Sequence, residues 1–301
     1  MGRLTAIVLG SAGGGGFPQW NCRCPVCRLA WAGDTRVKLR TQASLALSGD
    51  GEQWIVLNAT PDLRAQLLAT PALQPRADLR SSPIAAVILT GAEVDQVAGL
   101  LTLRERQAFT VLATGDTLTA LEANPIFGVL AADLVRRQNV ALGVRFPLPG
   151  GLEVELFAVP GKVALYLEGD APALAAETGA NVGVEIICGT HRLAYVPGAA
   201  AVPPALRERL ADADVILFDA TLFTDDEMIA TGTGEKTGRR MGHMPLDGAD
   251  GTLAALVGLG RRRVLTHINN TNPILIEGSP QRRKVEAAGF EVAEDGMEIV
   301  L

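Results

Sequence analysis

The most distinctive stretch of the chain is residues 4–27, L-T-A-I-V-L-G-S-A-G-G-G-G-F-P-Q-W-N-C-R-C-P-V-C. The apolar run at residues 4–9 predicts a buried strand that ends at Gly10 in a glycine-rich loop. The G-x-G-x-x-G spacing of a dinucleotide-binding loop, counted from Gly10, fails at Ala12, and no helical pattern follows directly. The stretch therefore predicts a strand that opens into irregular chain, and a nucleotide-binding loop is not predicted.

Three cysteines close this stretch. Cys22, Cys24 and Cys27 stand at spacings of two and three residues, so their thiolates can converge on one ion. Zinc held by four protein ligands is structural rather than catalytic, and we predict a metal-binding loop at residues 20–28. The alternative is three buried or unpaired thiols. Cys188 lies in an apolar run and is expected in the core, with the role of fourth ligand as its alternative.

The composition is that of a compact globular protein. Of the 301 residues, 48% are hydrophobic and 20% are charged, and the 33 glycines imply many turns. The formal net charge of -6 argues against a nucleic-acid partner, because phosphate binding requires clustered Lys and Arg. No run reaches the roughly 18 apolar residues of a membrane span, and no signal peptide is recognised. We therefore expect a cytoplasmic protein without membrane insertion, in which reduced cysteines favour metal binding.

Strands and helices alternate along the chain. A hairpin is predicted where residues 44–48 and 54–58 flank Gly49, Asp50 and Gly51. Further strands are predicted at residues 84–89, 111–114, 152–159, 182–188, 192–196, 215–219 and 264–266, and helices at residues 63–69, 131–138, 204–210 and 251–259. The pattern predicts mixed sheets covered by helices, in the α/β class.

Acidic and histidine residues follow several of these predicted strands. Asp95, Asp219 and His267 each stand at or just after the end of an apolar strand. Strand ends are where α/β proteins collect functional groups. His243, in a G-H dipeptide, is a further candidate, whereas His191 in a predicted hairpin turn is expected on the surface. The alternative for His243 and His267 is a hydrogen-bonded structural histidine.

Residues 232–237, G-T-G-E-K-T, imitate a phosphate-binding loop. Glu235 separates the glycine from the lysine, however, and no hydrophobic strand precedes the segment. A surface loop is therefore predicted here.

Six segments together resemble one family along nearly the whole chain. They are residues 10–27, R-T-Q-A-S at 40–44, N-A-T-P-D-L-R-A-Q at 58–66, G-L-L-T-L-R-E at 99–105, M-G-H at 241–243 and T-H-I-N-N-T-N-P-I-L at 266–275. The combination resembles the coenzyme PQQ synthesis protein B family, where PQQ is pyrroloquinoline quinone. The resemblance implies the metallo-β-lactamase fold, a four-layer αββα sandwich of two mixed β-sheets flanked by helices, as a single domain over residues 1–301.

The resemblance also implies which residues hold an active-site metal. The usual first metal motif of this fold, H-x-H-x-D-H, aligns with residues 91–96, where only Asp95 matches. Gln96 replaces a histidine that the family itself generally keeps, and an amide is a weaker ligand than an imidazole. Asp219 and His267 match later ligands of the fold. The set of Asp95, Asp219 and His267 suits Fe(II), although Gln96 leaves open whether the metal is retained.

Two more residues are assigned by the resemblance. His243 matches a histidine that related phosphodiesterases and RNases bring to the active site, and it is predicted to act in catalysis by orienting substrate or moving protons. Asn270 stands where related phosphodiesterases have a histidine that completes the cysteine site. Asn270 is therefore a candidate fourth ligand of the structural zinc.

The implied function is a step of PQQ biosynthesis. The leading hypothesis is hydroxylation, with iron and O₂, of a tyrosine-derived precursor made by cross-linking Glu and Tyr. The alternative is a non-catalytic carrier involved in transport of PQQ or its precursor to the periplasm, which the missing motif histidines favour. Metal-dependent hydrolysis needs two metals, and Gly91 and Gln96 argue against such a site.

The implied partners are a small-molecule PQQ precursor and other PQQ-biosynthesis proteins. An acidic substrate requires basic side chains near the metal, since guanidinium groups bind carboxylates well. The candidates that lie beside the family-like segments are Arg40, Arg64, Arg104 and Arg240, and the alternative for each is a surface residue.

Overall fold

The computed structural model describes residues 3–76 and 78–301 and arranges their strands in two seven-stranded sheets. The strands are β1 Thr5–Gly10, β2 Ser44–Ser48, β3 Trp54–Leu57, β4 Ile84–Ile88, β5 Phe109–Ala113, β6 Val135–Asn139, β7 Phe146–Leu148, β8 Leu152–Ala158, β9 Val182–Cys188, β10 His191–Val196, β11 Val215–Asp219, β12 Arg262–Thr266, β13 Glu291–Val292 and β14 Glu298–Val300. The α-helices are α1 Pro25–Trp31, α2 Leu63–Ala69, α3 Val94–Val97, α4 Gly115–Glu122, α5 Pro204–Ala211, α6 Glu227–Ala230, α7 Thr252–Ala255 and α8 Pro280–Ala287.

Both sheets are mixed, as predicted. The first has the order β14-β1-β2-β3-β4-β5-β6, and the second has the order β13-β12-β11-β10-β9-β8-β7. In the first sheet the pairs from β14 to β3 are antiparallel and those from β3 to β6 are parallel. In the second sheet the pairs from β13 to β10 are parallel and those from β10 to β7 are antiparallel. The two halves of the chain therefore build similar sheets.

Helices cover the outer face of each sheet, and the inner faces pack on each other. The inner core joins side chains of both sheets, such as Leu47 and Ile55 of the first with Leu156 and Leu217 of the second. Side chains of α2 and α4 pack on the first sheet, and side chains of α1, α5, α7 and α8 belong to the core on the second. The predicted four-layer αββα sandwich is confirmed.

The hairpin predicted around residues 49–51 is present as β2 and β3. The Asp50 carboxylate accepts the backbone N–H groups of Glu52 at 2.8 Å and Gln53 at 2.9 Å. Gly51 has a positive φ of 74°, which glycine adopts without steric cost. Local turn chemistry thus fixes this hairpin, which is why the sequence alone predicts it.

The helix predicted at residues 131–138 was wrong, because β6 occupies Val135–Asn139. Only Val135 of this strand is buried, and its remaining residues are polar, so the segment lacks the alternation that marks a strand. Its parallel pairing with β5, from Phe109–Val135 to Ala113–Asn139, decides the conformation. The helix predicted at residues 251–259 is also shorter and ends at Ala255.

The α-helices contain between four and eight residues each. Among the residues that the structure describes, no helix is long and apolar enough to cross a bilayer.

Candidate metal centre

The carboxyl ends of neighbouring parallel strands bring the candidate residues together. β11 ends at Asp219, which is in register with Thr266 of β12, so His267 follows directly beside it. Asp95 lies in α3, the helix that follows β4 of the other sheet. His243 lies in the loop after α6. The candidates predicted from strand ends thus meet at one edge of the sandwich.

Two carboxylate–histidine pairs lie within hydrogen-bonding distance, and Asp95 contacts the others through His267. His243 Nδ1 is 2.6 Å from Asp219 Oδ2, and His267 Nε2 is 3.1 Å from Asp95 Oδ2. The imidazole rings of His243 and His267 stack with their centroids 5.2 Å apart. Ligand atoms of Asp219, His243 and His267 all lie within 4.8 Å of one another, so His243 belongs to the cluster itself rather than to its edge.

Thr221 lies at the centre of this cluster and was not predicted. Its hydroxyl donates to Asp219 Oδ1 at 2.6 Å and lies 3.0 Å from His243 Nδ1 and 2.9 Å from His267 Nδ1. A hydroxyl that donates its single proton to the carboxylate must accept from the two imidazoles. Both Nδ1 atoms then carry protons, which leaves Nε2 of each imidazole as the atom that can bind a metal.

Asp219 is the buried anchor of the cluster. It accepts the backbone N–H groups of Ala199 and Thr221, both at 3.1 Å. Burial acts to raise the pKa of Asp219, but the charges and hydrogen bonds of His243 and His267 bring it well below its usual range. Burial acts to lower the pKa of His267, but hydrogen bonds to Asp219 and Asp95 outweigh burial and raise it to about 10. Asp219 is thus a carboxylate, and a metal ion bound to His267 would take the place of the imidazole proton.

The three cysteines form a second cluster at the start of α1. Cys24 caps the helix, because its sulfur accepts the N–H of Cys27 at 3.4 Å, and Cys22 Sγ accepts the N–H of Cys24 at 3.3 Å. The three sulfurs lie within 4.8 Å of one another. Burial raises the pKa of Cys27 to about 12, so the thiolate needs a cation beside it. Residues 25–28 of the predicted loop are helical.

Asn270 contacts all three cysteines. Its Nδ2 lies 3.1 Å from Cys22 Sγ, 3.3 Å from Cys27 Sγ and 3.8 Å from Cys24 Sγ. Rotation of the amide by half a turn exchanges its nitrogen for an oxygen that can bind a metal. Cys188 is elsewhere, in the core between the two sheets. Three cysteine sulfurs are ligands that structural zinc takes, and Asn270 is placed to be the fourth group.

A cavity of about 580 Å³ opens onto the carboxylate and histidine cluster. Gly13 and Gly14 of the glycine run line it, and a Cβ at Gly14 would lie 3.5 Å from Asp95 Oδ2. Longer side chains at these positions would extend into the space in front of the cluster. The run that imitates a nucleotide loop in sequence therefore keeps the entrance to the site open.

Known proteins resemble the chain over its whole length. Residues 53–268 match the model of the β-lactamase superfamily domain. Coenzyme PQQ synthesis protein B of Methylobacterium nodulans is 58% identical over 300 residues, which cover 99% of this chain and 100% of the relative. The protein of that name from Gluconacetobacter diazotrophicus is 54% identical, over 98% of this chain and 99% of the relative.

Comparison with solved structures points to the same family. The crystal structure of Zn(2+)-bound PqqB from Methylobacterium extorquens has a TM-score of 0.97 and 54% identity, over 98% of this chain and 99% of that one. This chain belongs to the coenzyme PQQ synthesis protein B family. A diphosphatase of the PhnP family, with 20% identity and a TM-score of 0.71 over 99% of this chain and 97% of that one, shares the fold. The predicted metallo-β-lactamase fold is confirmed.

The segment that aligns with the first metal motif of the fold makes other contacts in this chain. Gln96 Oε1 accepts the N–H of Glu93 at 3.1 Å, and this bond is part of a capping box on α3. Gln96 Nε2 donates to Thr90 Oγ1 at 3.3 Å. A Cβ at Gly91 would lie 2.6 Å from Gln96 Oε1 and 2.9 Å from the carbonyl of Ala180. A histidine therefore has no room at position 91, and this side of the site opposes a second metal.

The four candidate arginines for substrate binding do not line the cavity. Arg40 is buried and bonds to Ser11 Oγ and the carbonyl of Ala293, and Arg240 pairs with Glu168 at 3.0 Å. Arg64 and Arg104 are exposed on the surface. The surface alternative thus holds for Arg64 and Arg104, because distance along the chain from a family motif says little about which way a side chain points.

Sequence reasoning missed two lysines and a tryptophan that line the cavity, which are Lys162, Lys236 and Trp20. Lys162 was detectable in principle, since it stands just after the end of β8. Lys236 lies in residues 232–237, which were predicted to form a surface loop. Trp20 has no sequence signal beyond its position near the cysteines.

Proposed function

We propose that this protein acts in PQQ biosynthesis as an iron- and O₂-dependent hydroxylase of a tyrosine-derived precursor made by cross-linking Glu and Tyr. Membership of the coenzyme PQQ synthesis protein B family supports the role in PQQ biosynthesis. The observation that carries the hydroxylase proposal is the meeting of Asp95, Asp219 and His267 beside one cavity. Carboxylates and imidazoles are the ligand types that non-haem Fe(II) oxygenases use.

Each residue has a part in this proposal. Asp95, Asp219 and His267 would hold the iron, which when bound activates O₂ next to the substrate. Thr221 and the backbone N–H of Ala199 hold Asp219 in a fixed orientation. His243 lines the cavity with its Nδ1 engaged by Asp219, so its Nε2 is left to carry a proton to or from the substrate.

A structural zinc at Cys22, Cys24, Cys27 and Asn270 completes the proposal. Its support is the donor set and, in the relative from Methylobacterium extorquens, a structure described as Zn(2+)-bound. A cytoplasmic location belongs to the proposal too, because thiols stay reduced there.

The test of the hydroxylase is direct. Protein loaded with Fe(II) is mixed with the precursor, O₂ and ascorbate, which supplies the two electrons that reduce the second oxygen atom to water. We expect a product heavier by one oxygen atom, with wild-type yield in Cys188→Ser and none in His267→Ala. An unchanged precursor, with iron demonstrably bound, contradicts the proposal.

Metal analysis separates the two sites. In protein purified without added metal, we expect Cys24→Ser to lose zinc and His267→Ala to lose iron. The carrier alternative instead expects zinc as the only metal, with saturable binding of PQQ or its precursor and no oxygenated product.

A further inference from the structure

The charges that line the cavity are mostly neutralised within the protein. Lys162 Nζ lies 2.9 Å from Glu93 Oε1 and 2.9 Å from Glu168 Oε1, and its side chain is only 10% exposed. Glu168 also pairs with Arg240 at 3.0 Å. These two cations and two anions pair with one another, although Arg240 Nη1 has no hydrogen-bond partner among the described residues.

Lys236 differs from these cations. Across residues 3–76 and 78–301, no carboxylate lies within 4.0 Å of its ammonium group and no side-chain hydrogen bond engages it, yet the residue lines the cavity. The ammonium group of Lys236 therefore gains no anionic partner from the described residues. A ligand carboxylate supplies that missing partner.

Backbone hydrogen bonds fix the segment that carries Lys236. The N–H groups of Thr233 and Gly234 donate to the carbonyl of Met228 at 2.9 and 3.3 Å, and the N–H of Gly238 donates to the carbonyl of Asp225 at 2.9 Å. The N–H of His243 in turn donates to the carbonyl of Gly238 at 2.9 Å. One rigid segment therefore holds both the free lysine and an active-site histidine, which reduces the entropy lost when a ligand binds.

Trp20 supplies an aromatic surface in the same cavity. Its side chain is 84% exposed, although most tryptophans are largely buried. It projects from a turn in which the N–H of Cys22 donates to the carbonyl of Gln19 at 3.0 Å. An exposed indole that lines a cavity offers a flat apolar face on which an aromatic ring can stack.

We propose that Lys236 and Trp20 form the docking site of this cavity for an aromatic carboxylate, with the ammonium group on the carboxylate and the indole on the ring. This inference deepens the proposed function and rests on it for the identity of the natural ligand. The site takes ligands that carry both features.

The test measures binding without turnover. The probes are PQQ, an aromatic tricarboxylate, and its trimethyl ester, which keeps the ring system and lacks the charges, and both are followed by equilibrium dialysis. Lys236→Met is expected to weaken PQQ binding by about 10-fold to 100-fold, the range for a charged hydrogen bond, and to leave the ester unaffected. Lys236→Arg retains PQQ binding. Lys284→Met, a surface lysine paired with Asp247, is the matched control.

Trp20→Ala is expected to weaken binding of both probes by about 5-fold, and Trp20→Phe to restore most of it. Wild-type affinity for PQQ in Lys236→Met, equal losses for PQQ and ester in that variant, or no PQQ binding by wild-type protein overturns the docking site. The dialysis needs no chemistry, so a protein that binds PQQ through Lys236 but yields no oxygenated product loses the hydroxylase proposal and keeps the docking site.

Discussion

The hydroxyl of Thr221 holds three candidate metal ligands in one geometry. It contacts Asp219, His243 and His267 at 2.6, 3.0 and 2.9 Å. Hydrogen bonds of this kind set the tautomer and orientation of a ligating imidazole, and their loss typically lowers metal affinity by about 10-fold to 100-fold.

We expect Thr221→Val, which keeps the shape and removes the hydroxyl, to weaken iron binding within that range. Thr221→Ser, which keeps the hydroxyl, is the control and should bind iron as the wild type does. Competition with a chromophoric chelator measures the affinity. Equal affinities in Thr221→Val and wild type would show that the hydroxyl does not orient the ligands.

Glu227 links α6 to the turn that carries Asn270. Its buried carboxyl accepts the N–H of Phe223 at 2.7 Å and the hydroxyl of Thr271 at 2.6 Å. Burial raises its pKa from the usual 4.5 to about 7. The folded protein therefore keeps a proton that the unfolded chain has released between these two pH values.

Stability should consequently fall as the pH rises through this window. The contribution of Glu227 is fully present below pH 4.5 and is lost above pH 7, and the shift corresponds to about 3 kcal/mol. Glu227→Gln, an uncharged amide that can serve the same two partners, removes this dependence. Urea unfolding at pH 5 and pH 8 measures the difference between the two proteins. If the free energy of unfolding changes by the same amount between pH 5 and pH 8 in the wild type and in Glu227→Gln, the assignment is contradicted.

Residues with a chemical signature were predictable from the sequence, and residues defined by their surroundings were not. Asp95, Asp219 and His267 were identified because they follow predicted strands and match ligand positions of the family that the chain resembles. Thr221 and Lys236 are common residue types, and only the tertiary structure shows that one touches three candidate ligands and the other has no anion beside it.

At the scale of elements, local signals decided which predictions succeeded. The hairpin of β2 and β3 carries its own turn chemistry in Asp50 and Gly51, and it was predicted. β6 carries no such signal, because its pairing with β5 is established by residues more than 20 positions away in the chain. An edge strand of polar residues is therefore the kind of element that sequence patterns miss.

Gly99 sets how closely the segment after α3 packs on the chain after β3. Its N–H donates to the carbonyl of Ala59 at 2.8 Å, and a Cβ at this position would overlap the carbonyl oxygen of Thr60. This contact fixes the segment that follows Asp95. The close approach requires a residue without a side chain.

Gly99→Ala should therefore lower the free energy of unfolding by about 2 kcal/mol, because two backbone segments must separate. Gly128→Ala is the matched control. Nothing lies within 4 Å of a Cβ there, and the change should be neutral or stabilising by up to about 1 kcal/mol. Both are measured by denaturant unfolding, and equal effects of the two changes would refute the packing argument.

At the scale of the whole molecule, the two clusters are joined by one short turn. His267 and Asn270 are three residues apart, so the turn that carries the active-site histidine also reaches all three cysteines. The N–H of Gly13 donates to the carbonyl of Ile268 at 2.8 Å, and the N–H of Ile268 donates to the carbonyl of Ser11 at 2.9 Å. Residues 13–16, the cysteine segment at 20–28 and the turn at 267–270 thus form one connected region at this edge of the sandwich.

This connection predicts a local rather than a global effect of losing the cysteine site. In Cys22→Ser/Cys27→Ser, hydrogen exchange should accelerate by about 10-fold or more at residues 13–40 and 267–275, because the contacts that close this region are lost. Exchange in β4 and β9 should stay as in the wild type, since both strands lie in the core between the sheets.

Cys188→Ser, which alters a cysteine of that core, serves as the control and should leave residues 13–40 protected. Acceleration spread evenly over the strands would mean that the cysteine cluster supports the whole fold, and no acceleration at residues 267–275 would mean that it does not hold the active-site turn.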